Sequence, residues 1–158
     1  MSTKLPRLLI AASGTGGHLF PALAVAEKLA NYQIEWLGVR DRLEQTLVPD
    51  CYTLHTIPIE GFQQSFGLKT IQITFRFLSS VFQVQKIIKE KQIDAVFTTG
   101  GYIAAPAILA ARLQKIPAVI HESNFIPGKV TRFLSRWCDT VALGFGGTAQ
   151  YLPVRARV

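Results

Sequence analysis

The residues best suited to chemistry are Gly14-Thr15-Gly16-Gly17-His18, three glycines and a histidine within five positions. Glycine lets the backbone take positive φ and approach a ligand, and the free amides of a following helix attract anions, so the expected guest is a phosphate or diphosphate. His18 adds a group that exchanges a proton near neutral pH. A second glycine turn, Gly100-Gly101-Tyr102, repeats the architecture, and Glu122 and Asn124 add a carboxylate and an amide after the fifth apolar run. Plainer roles stay open. Glycine also serves tight strand-to-helix packing, a histidine at a helix start can cap its own backbone, and Glu122 can be a buried paired carboxylate.

The elements that must position these residues follow from hydropathy patterning. Apolar runs at 8–12, 34–39, 52–59, 94–98, 118–121 and 140–143 read as strands, and helical patterns fall at 21–29, 41–48, 70–91, about 104–113 and 129–137. This alternation predicts an α/β fold with a doubly wound, mainly parallel, Rossmann-like sheet. Such a sheet places His18, Gly100-Gly101 and Asn124 along one edge, where open α/β sheets bind ligands.

The 70–91 pattern carries more apolar surface than one sheet contact needs. Gln72, Arg76, Ser79, Gln83, Lys86 and Glu90 form a polar stripe, while Ile71, Phe75, Leu78 and Phe82 form one apolar stripe and Ile73, Phe77, Val84 and Ile88 another. Together with Phe62 and Phe66 in the preceding loop, the surplus stripe is expected to dock on an anionic membrane surface. Lys69, Arg76, Lys129, Arg132 and Arg136 would then meet lipid headgroups. Packing in the core or beneath a second domain is the alternative.

Composition narrows the function classes. A length of 158 residues with 49% apolar content fits one domain with a real core, and 17 Lys plus Arg against 10 Asp plus Glu, net +7, points to anionic partners. No nucleic-acid partner is expected, because the aromatics fall on helical core positions instead of forming a stacking platform. Dinucleotide binding is disfavoured: the third glycine of G-x-G-x-x-G is missing, and Val39-Arg40 stand where an acidic residue would end the second strand. The P-loop signature is absent. His18, His55 and His121 lack metal-ligand spacing, and Cys51 and Cys138 form no CxxC, so neither a metal nor a disulfide is expected. No signal peptide is evident, and the longest apolar run, 102–111, is too short to span a bilayer, so any membrane contact is expected to be peripheral.

Four motifs in order, Ser13 to Ala26 (SGTGGHLFPALAVA), Asp41 to Pro49 (DRLEQTLVP), Thr99 to Tyr102 (TGGY) and His121 to Asn124 (HESN), resemble the N-terminal domain of the MurG family. These are transferases that move N-acetylglucosamine from UDP-N-acetylglucosamine to the lipid-linked muramoyl-pentapeptide diphosphate in peptidoglycan synthesis. The resemblance implies one half of a GT-B glycosyltransferase at the cytoplasmic face of the bacterial plasma membrane, needing no cofactor. It implies that Thr15, Gly16, Gly17 and Asn124 contact the donor or line its cleft, that the Gly100-Gly101-Tyr102 turn holds the acceptor diphosphate, and that His18 is the general base. Glu122 ranks below it as a group orienting a histidine or the acceptor. The start of a helix should also disfavour the imidazolium. The C-terminal nucleotide-sugar domain is expected to be absent, leaving two alternatives: an enzyme half, or a non-catalytic, membrane-docking, acceptor-binding module that needs a partner chain.

Overall fold

The computed structural model describes residues 4–59 and 68–153. Phe62 and Phe66 lie outside them. Six strands, β1 (Arg7–Ala11), β2 (Gln33–Val39), β3 (Thr53–Ile57), β4 (Ala95–Thr98), β5 (Ala118–Glu122) and β6 (Thr140–Leu143), form one sheet in the order β3-β2-β1-β4-β5-β6, every pair parallel. The chain starts at the centre, winds to one edge, returns through a long helix and winds to the other. This is the doubly wound fold expected, and it makes the β1/β4 junction the point where winding reverses.

Both faces of the sheet are covered, which is why the central strands read as unbroken apolar runs. On one face α1 (Gly16–Lys28) lays Leu19, Ala22 and Ala26 over Ile10 and Trp36. The other face carries α3 (Leu68–Glu90), α4 (Ala104–Gln114) and α5 (Lys129–Leu134), which enclose Leu9, Leu37, Val96, Ile108, Ile120 and Val141. The fully buried alanines 104, 107, 110 and 111 let α4 approach both the sheet and α3 closely.

Three elements differ from the sequence expectation. α1 begins at Gly16, five residues before the periodic stretch. Thr15 is extended (φ −116°, ψ 157°), and its carbonyl accepts the Leu19 amide at 3.0 Å. Burial of Leu19 and Ala22 outweighs a glycine penalty of about 1 kcal/mol per position. The 41–48 helix shrinks to α2 (Glu44–Leu47), because Asp41 adopts φ 60° and turns the chain sharply after β2. The 129–137 helix tightens after Leu134 into a 3-10 turn, Ser135–Trp137.

Candidate active site

The two glycine turns meet at the β1/β4 junction and hold each other through Thr98, Thr99 and His18. Thr98 Oγ1 donates to the Ala11 carbonyl at 2.7 Å, tying the end of β4 to the end of β1. Thr99 Oγ1 donates to the His18 carbonyl at 2.9 Å, while His18 Nδ1 lies 2.8 Å from the Thr99 carbonyl. A carbonyl only accepts, so Nδ1 must carry the proton, and the neutral ring then presents a lone pair at Nε2. No hydrogen bond to Nε2 occurs among the described residues. His18 therefore does not cap its own helix; it crosses to the second turn. Gly100 and Gly101 make room for it with φ of 91° and 75°, and a Cβ on Gly101 would stand 3.5 Å from Nε2.

The first turn has its own anchor, a residue that sequence reasoning did not single out. Glu44 is fully buried, and no cation pairs with it among the described residues. Its Oε1 accepts from Ser13 Oγ at 2.5 Å and from the Val39 amide at 2.6 Å, and its Oε2 accepts from the Gly14 amide at 3.2 Å. One carboxylate thus ties the glycine turn after β1 to the end of β2. Gly38 is required beneath it, since a Cβ there would lie 2.6 Å from Glu44 Cγ.

Between the turns lies a cleft of about 190 Å³, lined by Thr15, His18, Arg42, Ile59, Gly101 and Tyr102 among others. The structure thus gathers Thr15, His18, Gly101 and Tyr102 around one space. Gly16, Gly17 and Gly100 form its immediate backbone, with Gly16 and Gly17 in the first turn of α1. A helix start of this kind, whose cap residue Thr15 makes no side-chain hydrogen bond, leaves backbone amides directed at a ligand.

Glu122 and Asn124 are not among the residues lining this cleft; Glu122 ends β5 and Asn124 stands on the loop that follows. Glu122 is buried, its Oε1 accepting from the Asn124 amide (2.9 Å) and Asn124 Nδ2 (2.8 Å), and its Oε2 from the Gly128 amide (3.1 Å). Both carboxylate oxygens thus brace their own loop, and among the described residues neither hydrogen-bonds a histidine ring. Thr148, on the 3-10 segment Gly146–Tyr151, donates to the Asn124 and Phe125 carbonyls and props the loop from behind. Neighbouring His121 has a buried Nδ1 with no hydrogen-bond partner among the described residues, and burial lowers its pKa, partly opposed by Glu122. Among the described residues, no group of three His, Cys, Asp or Glu could hold a metal ion. The Cys138 thiol is pushed up to about 12 by burial and by Asp139, whereas Cys51 is exposed.

The surplus stripe of α3 is exposed. Ile71, Phe75, Leu78 and Phe82 are 50–73% accessible, whereas Val84 and Ile88 of the other stripe are buried. On α5, Lys129, Arg132 and Phe133 are exposed, and the Arg136 guanidinium stacks 5.0 Å from the Phe133 ring. No helix among the described residues is long and apolar enough to cross a membrane.

Comparison with known proteins places this geometry. Residues 8–143 match the glycosyltransferase family 28 N-terminal domain. The chain is 72% identical over 153 residues to a Microcystis aeruginosa protein named UDP-N-acetylglucosamine--N-acetylmuramyl-(pentapeptide) pyrophosphoryl-undecaprenol N-acetylglucosamine transferase. That match covers 97% of the chain and 43% of the relative. A Gloeothece citriformis protein of the same name is 71% identical, with 96% and 42% covered. The chain thus spans about two fifths of the length of these curated relatives. It superposes on the crystal structure of Acinetobacter baumannii MurG with a TM-score of 0.83 at 36% identity, covering 97% of this chain and 44% of that one. A putative UDP-N-acetylglucosamine 2-epimerase from Listeria monocytogenes shares the fold alone, with a TM-score of 0.66 at 16% identity and 94% and 42% covered. The chain belongs to glycosyltransferase family 28 and carries its N-terminal domain.

Proposed function

We propose that this chain supplies the acceptor side of an inverting N-acetylglucosaminyltransferase, with His18 as general base. The lipid-linked muramoyl-pentapeptide diphosphate is the acceptor and UDP-N-acetylglucosamine the donor. His18 Nε2 takes the acceptor hydroxyl proton as that oxygen bonds to the anomeric carbon from the face opposite the nucleotide. The bond from that carbon to the diphosphate breaks, and UDP leaves with the electron pair. Thr15, Gly16, Gly17 and Asn124 border the donor, and the Gly100-Gly101-Tyr102 turn receives the acceptor diphosphate. Glu122 serves by holding Asn124 and the loop in place. The part of the relatives' length beyond this chain supplies the nucleotide-binding side.

The observation that carries this reading is the reciprocal clamp between His18 and Thr99, which protonates Nδ1 and leaves Nε2 available at the cleft. The exposed stripe of α3 supports a peripheral position on the cytoplasmic face of the membrane, where a lipid-linked acceptor must remain. The test joins this chain to the C-terminal remainder of the Microcystis aeruginosa relative and measures transfer of labelled N-acetylglucosamine to the lipid-linked acceptor. The expected result is transfer dependent on both halves. No transfer from a folded fusion, while the intact relative is active in the same assay, would overturn the proposal.

A further inference from the structure

The transfer step uses nothing from the segment joining β2 to α2, although that segment is built with care. Its two ends are pinned by Glu44, which binds the Val39 amide on one side and the Ser13-Gly14 turn on the other over a glycine that leaves it just enough room. Between those anchors Asp41 takes the left-handed φ of 60°, a conformation that side chains other than glycine seldom adopt. This bend sets Arg42 on the wall of the cleft, beside Thr15, His18 and Tyr102.

Among the described residues the Arg42 guanidinium makes no hydrogen bond or ion pair, and none of those lining the cleft is Asp or Glu. Arg7 is occupied by Gln33 and the Lys91 carbonyl and Arg136 by the Phe133 carbonyl; Arg112 and Arg132 are exposed elsewhere, so Arg42 is set apart by its place on the cleft wall. An unengaged planar fork of donors on a residue that lines this space, beside the start of α1, is matched to a pair of oxyanion oxygens. We infer that Arg42, presented by the Glu44 anchor, is an anion-binding arm of the cleft that grips a phosphate or carboxylate group of the acceptor. This rests on the function proposed above for the identity of the ligand. Such an acceptor offers both groups, a diphosphate and the carboxylates of its peptide.

Amide NMR titrations of the chain with two probes separate the sources. Inorganic pyrophosphate carries only phosphate, and N-acetylmuramoyl-L-alanyl-D-glutamate carries only carboxylate. The expected result is that at least one probe shifts the Gly14 and Gly101 amides. Arg42→Gln should weaken that probe by about tenfold, Arg42→Lys by less, and Arg112→Gln, on exposed α4 surface, not at all. The probe that loses affinity names the group held. Wild-type chain that binds neither probe, or Arg42→Gln that binds both as wild type does, overturns the inference. In the fusion described above, Arg42→Gln should raise the acceptor KM with kcat held within about threefold. A fusion inactive in every version would sink the transferase reading and leave the titration standing. An active fusion with an indifferent Arg42 would do the reverse.

Discussion

Replacing Glu44 with glutamine removes a charge at nearly constant volume from the joint between β1 and β2, and the structure sets the size of the penalty. Three donors converge on the carboxylate: Ser13 Oγ and the Val39 amide on Oε1, and the Gly14 amide on Oε2. A glutamine must turn its NH2 toward one side. Facing Oε1's partners would set it against the Val39 amide at 2.6 Å and force Ser13 to reverse its hydroxyl. Facing Gly14, where the contact is 3.2 Å, opposes only one donor. The variant should therefore keep its oxygen on Ser13 and Val39 and lose the Gly14 bond, a charge-assisted bond worth about 1.5–3 kcal/mol. For a chain of this length that is about 3–12 °C in Tm, read by thermal circular dichroism. The Gly14 amide should at the same time lose its hydrogen-exchange protection. A Tm within about 1 °C of wild type, or an unchanged Gly14 amide, would refute the assignment of Glu44 as the anchor of the turn.

Three further outcomes follow from other regions. Phe75→Ser/Phe82→Ser should reduce co-sedimentation with anionic liposomes by at least about tenfold while circular dichroism stays unchanged, since each buried phenylalanine is worth about 1.5–3 kcal/mol; wild-type chain remaining in the supernatant at low salt would sink membrane docking. Iodoacetamide at pH 8 should alkylate Cys51 in the folded chain and reach Cys138, held near 12, only after denaturation; equal rates would contradict the burial of Cys138. Burial lowers the His121 pKa in the folded state, so below the ordinary value of 6.5 the unfolded chain binds the proton first and stability is lost as pH falls, whereas above 6.5 the residue contributes no pH dependence. His121→Asn should flatten urea-midpoint loss between pH 7 and 5, and an unchanged slope would show that His121 is not the titrating group.

The doubly wound parallel sheet and the placing of the two glycine turns along one edge were legible in the sequence because buried parallel strands leave unbroken apolar runs and each turn follows one directly. The two stripes of α3 were legible too, and the structure buries the one containing Val84 and Ile88 while exposing the one containing Phe75 and Phe82. The start of α1 was not legible: glycine reads as a break, and only tertiary burial of Leu19 and Ala22 overrides its poor helix propensity. Glu44 escaped notice for a related reason. A glutamate within a polar stretch reads as solvated, and only Gly38, six residues earlier on β2, hinted that something must fit against the sheet end there. Thr98 read as the end of a strand and Thr99 as the start of a glycine turn; their hydroxyls matter only once β1 and β4 are neighbours. The bonds of Glu122 to its own loop depend on the path of residues 123–128, which local periodicity does not encode.

The claim on which the rest depends is that Nε2 of His18 accepts the proton in the transfer step, and kcat of His18→Ala in the fused, membrane-supplied enzyme tests it directly. Loss of a general base should lower kcat by about 10²–10⁴-fold with the donor KM little changed, because the base acts in the transition state and not in nucleotide binding. A variant that folds as wild type does and keeps its kcat within about threefold would contradict the claim and leave His18 as a strut between the two glycine turns.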